Sequence, residues 1–406
     1  MGTCNICGSA TEEFVALLDL PIYCNLLWDD QQAAIDCPKG DIRLEFCPHC
    51  GGISNTVFDP SKLGYSQDYE NSLHYSARFQ EYATELANRL VEKHDLHNKT
   101  IIEIGCGKGD FLVSLCELGD NKGFGFDNSY VERDEYESLG EQVTFVQDFY
   151  SDKYADYQGD FVCCRQVLEH VQTPDNLLTP LKGALKGALK GAVKQEPDTS
   201  VATAFFEVPN ALYTFKNMMV WDVIYEHCTY FTPVSLTYAF NAAGYTTKAD
   251  VKEEFGGQFI SIEAQLSQAE QISASADADA LKTLAEDIAS FESKFRIQQE
   301  KWTSTLDEFF KQGKKVVIWG SGSKGVTFLN LLSLKDKVEY AVDINPRKQG
   351  KFIPGGGQKI VSPETMKSYR PDVVIVMNPL YQQEIQSSLV ALGLDAQVMT
   401  TEECAG

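Results

Sequence analysis

Three sets of side chains in this sequence have the types and spacing to do chemistry. Cys4-x2-Cys7 and Cys47-x2-Cys50 are paired thiol knuckles. A two-residue spacer lets both sulfurs of a knuckle face one ion, and four thiolates suit tetrahedral Zn²⁺. The bland alternative is four unrelated thiols. His49 lies inside the second knuckle, where it is a substitute ligand. No position looks open, so the ion reads as structural, folding a segment too small for a core of its own. The second set is Glu103, Gly105, Gly107 and Gly109, followed by Asp127. Such glycines let backbone pass close to a ligand, and an acid after the next strand can hold ribose hydroxyls. The third is Glu226-His227, an imidazole beside a carboxylate among aromatic residues. An unperturbed histidine titrates near 6.5, so modest tuning makes it a base at neutral pH. A Glu-His pair that merely caps a helix is the alternative.

The elements around these residues follow from periodicity. Ile101-Ile102 opens a buried strand, Phe111, Leu112, Leu115 and Leu118 recur at helical spacing, and Gly123–Phe126 is a strand closed by Asp127. Strand, glycine turn, helix, strand, acid is half of a mononucleotide-binding unit. Val143–Val146 and Asp160–Arg165 continue the alternation, leading to Asp148 and to Gln166, Glu169 and His170, and Phe205–Asn210 is a further strand. Phe79–Leu90 reads as an amphipathic helix. Before it, Tyr65, Tyr69, His74 and Tyr75 either line a substrate pocket or pack one lobe on another. Leu181–Lys194 is a four-residue repeat, LKGALKGALKGAVK, read as a locally expanded helix or loop. Leu281, Leu284, Ile288, Phe291 and Phe295 predict one or two connecting helices. Beyond them, strand Lys315–Trp319, the turn Gly320-Ser321-Gly322-Ser323-Lys324-Gly325, strand Val338–Val342 and Asp343 match a dinucleotide fingerprint. Val373–Val376 adds a strand, and the lysine spacing rules out a Walker loop.

Composition sets outer bounds. A chain of 406 residues suggests two to three domains. No run approaches 18 apolar residues and MGTCNICG lacks the regions of a signal peptide, so a soluble cytoplasmic protein is expected. Twelve cysteines then argue for thiols and metal rather than disulfides. A formal charge of −23 argues against nucleic acid or an anionic membrane as partner.

Glu103-x-Gly105-x-Gly107-x-Gly109 resembles motif I of the S-adenosylmethionine-dependent methyltransferases, and Asp160 to His170 resembles their motif IV. No Asn-Pro-Pro-Tyr-type stretch follows, which weighs against N-methylation. With the Cys4 knuckles and the C-terminal fingerprint, Glu226-His227 resembles the sugar C-methyltransferases, which methylate a carbon of nucleotide-linked 4-keto sugars. Members often read Tyr-His-Glu-His where this chain has Ile224-Tyr225-Glu226-His227. The resemblance implies an α/β fold: a zinc lobe over 1–70, a class I Rossmann-like methyltransferase core over 71–265, a helical connector over 266–312 and a Rossmann-like substrate domain over 313–406. It implies S-adenosylmethionine contacts from Glu103, Gly105, Cys106, Gly107, Gly109, Asp127, Asp148 and Gln166. It implies His227 as base, Glu226 orienting it, and Tyr225 or Tyr230 with His170 stabilising an enolate. Tyr75, Lys324 and Asp343 would meet a nucleotide-linked keto sugar, and Zn²⁺ would be structural. Three alternatives stay open: an NAD(P)-binding oxidoreductase or redox sensor, a methyltransferase of a non-sugar small molecule, and a non-catalytic scaffold.

Overall fold

The computed structural model describes residues 2–26, 28–64, 69–185, 202–247, 250–267 and 274–403. Its first sheet is antiparallel and built from β1 (Glu12–Pro21), β2 (Lys39–Phe46) and β3 (Ile53–Asn55). Val15, Leu17 and Leu20 of β1 turn inward, with register shifts between them where the strand bulges. The fourth strand of this sheet arrives from much later in the chain.

The central body begins with helix Ala77–His94, whose Ser76 cap accepts from Phe79 N and whose Phe79, Leu86 and Leu90 face the core. The sheet beneath it takes β4 (Thr100–Ile104), β5 (Lys122–Phe126), β6 (Val143–Val146), β7 (Phe161–Arg165) and β8 (Thr203–Pro209), all parallel. The chain then sends β9 (Thr229–Tyr230) out to pair with β3, completing the first sheet. It returns as β10 (Tyr245–Thr247), β11 (Lys252–Glu254) and β12 (Phe259–Leu266), with β12 antiparallel to β8. The strand order is β10-β12-β8-β7-β4-β5-β6, with β11 paired to β12. The order reverses at β4, and in open α/β sheets the crevice at the carboxyl ends beside such a switch takes the ligand. The four-residue repeat enters the end of helix Asp175–Ala184, and beyond Leu185 it lies outside the described residues; so does Tyr65.

Helices Ala278–Ala289 and Phe291–Lys311, parted at Ser290, lead to a parallel third sheet. Its strands are β13 (Val316–Trp319), β14 (Tyr340–Val342), β15 (Lys359–Val361), β16 (Val373–Val376) and β17 (Gln397–Thr400), in the order β15-β14-β13-β16-β17. One hydrophobic core runs through the first sheet, the segment before β9, the connecting helices and the third sheet. Trp221 and Trp302 meet Phe328 edge-on, at 4.8 and 5.1 Å between centroids. The N-terminal lobe therefore shares its core with the connecting helices and the third sheet, while the central sheet keeps cores of its own. Among the described residues no helix is long and apolar enough to cross a membrane.

Candidate active site

Gly105, Gly107 and Gly109 all have positive φ, between 56° and 90°, a conformation glycine enters without the Cβ penalty. At Gly107 a Cβ would meet nothing within 4 Å, so the turn stands open there. Asp127 braces it: Oδ2 accepts from Gly107 N at 2.8 Å, and Oδ1 accepts from Ser129 N and Oγ at 2.7 Å. Gly105, Gly107, Asp127, Asp148 and Gln166 line a pocket of about 300 Å³ at the carboxyl ends of the strands, which also reaches Tyr69, Arg165 and His170. Asp148 accepts from Tyr154 OH at 2.6 Å and Lys153 Nζ at 2.9 Å, and the Tyr154 bond foremost lowers its carboxyl to about 2. Gln166 adopts φ 57° and donates Nε2 to Glu207, a buried carboxylate that also accepts from Arg165 and Tyr82.

Not every expected cofactor residue faces this pocket. Glu103 is buried under the turn, where desolvation raises its carboxyl to about 8. The Cys106 thiol points at β5, so that a Cβ on Gly125 would strike its sulfur at 2.8 Å. Gly109 sits against Phe145 and caps the next helix. These three support the turn from behind.

The second chemical group lies at the pocket's other wall. His170 and His227 meet edge to face, with ring centroids 4.8 Å apart. Burial lowers both imidazoles, His170 to about 4 and His227 well below its ordinary range, where His170 and Lys324 push it further. Both are therefore neutral at neutral pH. His170 Nδ1 is engaged by the Glu226 carbonyl at 3.0 Å. The expected Glu226–His227 pairing is absent. Glu226 is 0% exposed and accepts from Cys24 N at 3.0 Å, while its Oε1 has no hydrogen-bond partner. Ile224 to His227 form a turn closed by His227 N donating to Ile224 O at 3.2 Å, and here the carboxylate turned toward the lobe. Tyr225 went the same way: its ring covers Gly40 and its hydroxyl accepts from Asp59 N at 3.0 Å. Tyr230 donates to Ile224 O at 2.8 Å and stays within 5.7 Å of the His227 ring. Glu169, quoted in the sequence only as part of a motif, is buried beside this pair and raised to about 8 by desolvation.

The third sheet repeats the design of the first turn. Asp343 Oδ2 accepts from Ser321 N at 3.0 Å and Oδ1 from Asn345 N at 2.9 Å. Lys324 reaches across to Asp222 Oδ1 at 2.5 Å. Lys348, absent from the sequence-based site, is only 6% exposed, with Nζ 3.3 Å from Asn25 Oδ1 and over Gly322. Glu70 ties the bodies together, accepting from Asn345 Nδ2 at 3.2 Å and Arg347 at 3.3 Å. Lys108 of the first turn is lowered by burial and feels both Glu70 and Arg347. Tyr75 is 39% exposed and outside the pocket lining.

The four knuckle thiols converge, with Cys4–Cys50 and Cys7–Cys47 sulfurs 3.6 and 3.5 Å apart and all four within 4.8 Å. Zn–S bonds near 2.3 Å place sulfurs about 3.7 Å apart, so the set can hold a tetrahedral ion. His49 turns away to Tyr238 OH. Asn5, between Cys4 and Cys7, donates Nδ2 to Gln172 O at 2.9 Å and Thr229 Oγ1 at 2.6 Å. It thus grips the chain just after each of the two histidines.

Residues 75–249 match the family model described as a methyltransferase domain. The central body has the α/β Rossmann-like fold of the S-adenosylmethionine-dependent methyltransferases. Residues 258–394, which include the Gly320 turn, match the model described as the C-methyltransferase C-terminal domain. Over 197 residues the chain is 26% identical to C-methyltransferase NovU of Streptomyces niveus, covering 45% of each; it thus spans about half the length of that curated relative. Solved methyltransferases also show a distant likeness to part of the chain. One is magnesium protoporphyrin IX methyltransferase (ChlM) from Synechocystis PCC 6803 with bound SAH, at 16% identity and TM-score 0.35 over 47% of this chain and 84% of that one. Another, a SAM dependent methyltransferase from Aquifex aeolicus, gives 16% and 0.35 over 52% and 100%.

Proposed function

We propose that this protein is an S-adenosylmethionine-dependent C-methyltransferase that methylates a carbon next to a ketone in a nucleotide-linked sugar. The observation that carries the proposal is the neutral pair His170–His227, one ring lining the pocket of the first glycine turn and the other feeling the charge of Lys324 in the second. The Asp127-braced turn, with Phe149 60% exposed at the pocket rim, suits the adenosyl group. When bound, S-adenosylmethionine supplies an electrophilic methyl group. The Ser321–Lys324 turn, with Lys324 and the buried ammonium of Lys348, suits a sugar-linked diphosphate, since a helix start and cations both favour anions. Between them His227 takes the proton from the carbon beside the ketone, leaving the electron pair on the enolate. His170, neutral and with its Nδ1–H given to the Glu226 carbonyl, presents a lone pair at Nε2, so its part is to position the His227 ring it meets edge to face rather than to donate to the enolate. The curated C-methyltransferase relative and the family of the C-terminal segment support transfer to carbon. The Cys4 cluster takes a structural Zn²⁺.

Removing the α-proton without a methyl donor exposes the first step alone. In D₂O the wild type should exchange that proton of a nucleotide-linked keto sugar. His227→Gln should lose exchange and methylation together, by the roughly 10²–10⁴-fold typical of a positioned base. Near wild-type methylation by the variant would exclude His227 as base.

A further inference from the structure

Glu169, His170 and His227 come together where the turn after β7 meets the loop before β9. One ligand-capable atom from each lies within 4.8 Å of the other two. His170 Nε2 stands 4.0 Å from Glu169 Oε1. The Glu226 carbonyl at His170 Nδ1 is the kind of second contact that fixes a ligating histidine's tautomer and leaves Nε2 to the metal. Glu169 Oε2 is buried and makes no hydrogen bond, an arrangement that costs stability unless something meets it. The proton-transfer chemistry proposed above uses the two imidazoles and leaves this carboxyl unexplained.

We propose that Glu169, His170 and His227 form a second metal site, separate from the four cysteines, for a borderline divalent ion such as Zn²⁺ or Co²⁺. Two imidazoles and one carboxylate suit these ions better than Mg²⁺ or Ca²⁺, which call for oxygen alone. Bonds of about 2.0–2.2 Å set ligand atoms about 3.4 Å apart in a tetrahedron. The widest pair must therefore close by about an ångström, a small adjustment for side chains at a pocket wall. Binding sends the proton of Glu169 to solvent. His170 lines the pocket, so the fourth position opens onto it. The consequence for activity rests on the proposed function: an ion here occupies the lone pair with which His227 would take the substrate proton, so occupancy is inhibitory.

The test titrates Co²⁺ into full-length protein already loaded with Zn²⁺ at the cysteines. A further equivalent should bind with visible d–d bands but without the near-ultraviolet charge-transfer absorption of thiolate coordination. Glu169→Gln and His170→Gln, each shown folded by its melting curve, should weaken that binding about 10–100-fold or more. No further equivalent, a thiolate-type spectrum, or unchanged binding in both variants overturns the site. Added Zn²⁺ should also stop methyl transfer, reversibly with a weak chelator. If Co²⁺ binds as described while methyl transfer continues with Zn²⁺ bound, the site stands and His227 is not the base.

Discussion

Asp127 does two jobs with one carboxylate. It receives three hydrogen bonds from the glycine turn and from Ser129, and it lines the pocket where a ribose would lie. Asp127→Ala should weaken S-adenosylhomocysteine binding in calorimetry by about 1.5–3 kcal/mol, the range for a hydrogen bond to a charged group. Unchanged affinity would place the ribose elsewhere. The turn and the acid that braces it were legible, because they are local in sequence and their geometry depends on backbone shape. The partner of Glu226 was not. Its carboxylate meets Cys24, 202 positions away, and neither residue type nor spacing announces that contact. Lys348 is marked only as a residue downstream of the Gly320 turn, since a lysine reads as surface until the fold buries it over Gly322.

At the scale of elements, strands of the central sheet declared themselves because both of their faces are buried. Phe161–Arg165 of that sheet and Val373–Val376 of the third are buried along nearly their whole length, and their apolar runs mark them. β1 did not, since its bulges break the alternation that marks a half-buried strand. Two joints between elements invite measurement. Gly8 and Gly51 follow the second cysteine of each knuckle with φ of 75° and 73°, and donate back to the Cys4 and Cys47 carbonyls. Gly51→Ala should cost about 1–2 kcal/mol, the penalty for a left-handed residue with a Cβ, and lower metal affinity; an unchanged melting temperature would exclude strain at that turn. The second joint is Glu263 of β12, bridged to Lys93 and His94 at the end of helix 77–94. Burial alone would raise its carboxyl, but the His94 and Lys93 bonds prevail and hold it near 2, below the ordinary 4.5. The stabilisation is complete above pH 4.5 and disappears as pH falls toward 2. Glu263→Gln should therefore lose about 1 kcal/mol at neutral pH, and the deficit should vanish in acid. A deficit independent of pH would mean that packing, not charge, is what the variant loses.

Across the whole molecule, the lobe's share in one continuous core predicts how it fails. Cys4→Ser or removal of the ion should lower the melting temperature of the lobe, the connecting helices and the third sheet together, in one transition. A separate early melt of the lobe, with the remainder untouched, would show that the shared core does not couple them. The sequence suggested three bodies in a row, and could not show that β9 leaves the central sheet to close the first one. That strand starts two residues after His227, and Asn5 grips Thr229 within it while also holding Gln172, two residues after His170. The spacing of the two imidazoles is in this way gauged from outside the pocket, by a side chain seated between two zinc-type cysteines. Asn5→Ala keeps every thiol and every pocket residue. It should still slow methyl transfer by up to about 10²-fold, since displacements of an ångström at reacting groups cost that much. Cofactor affinity and melting temperature should barely move. The lobe would then be the jig in which the catalytic pair is set, so metal status would be read in turnover before it is read in unfolding.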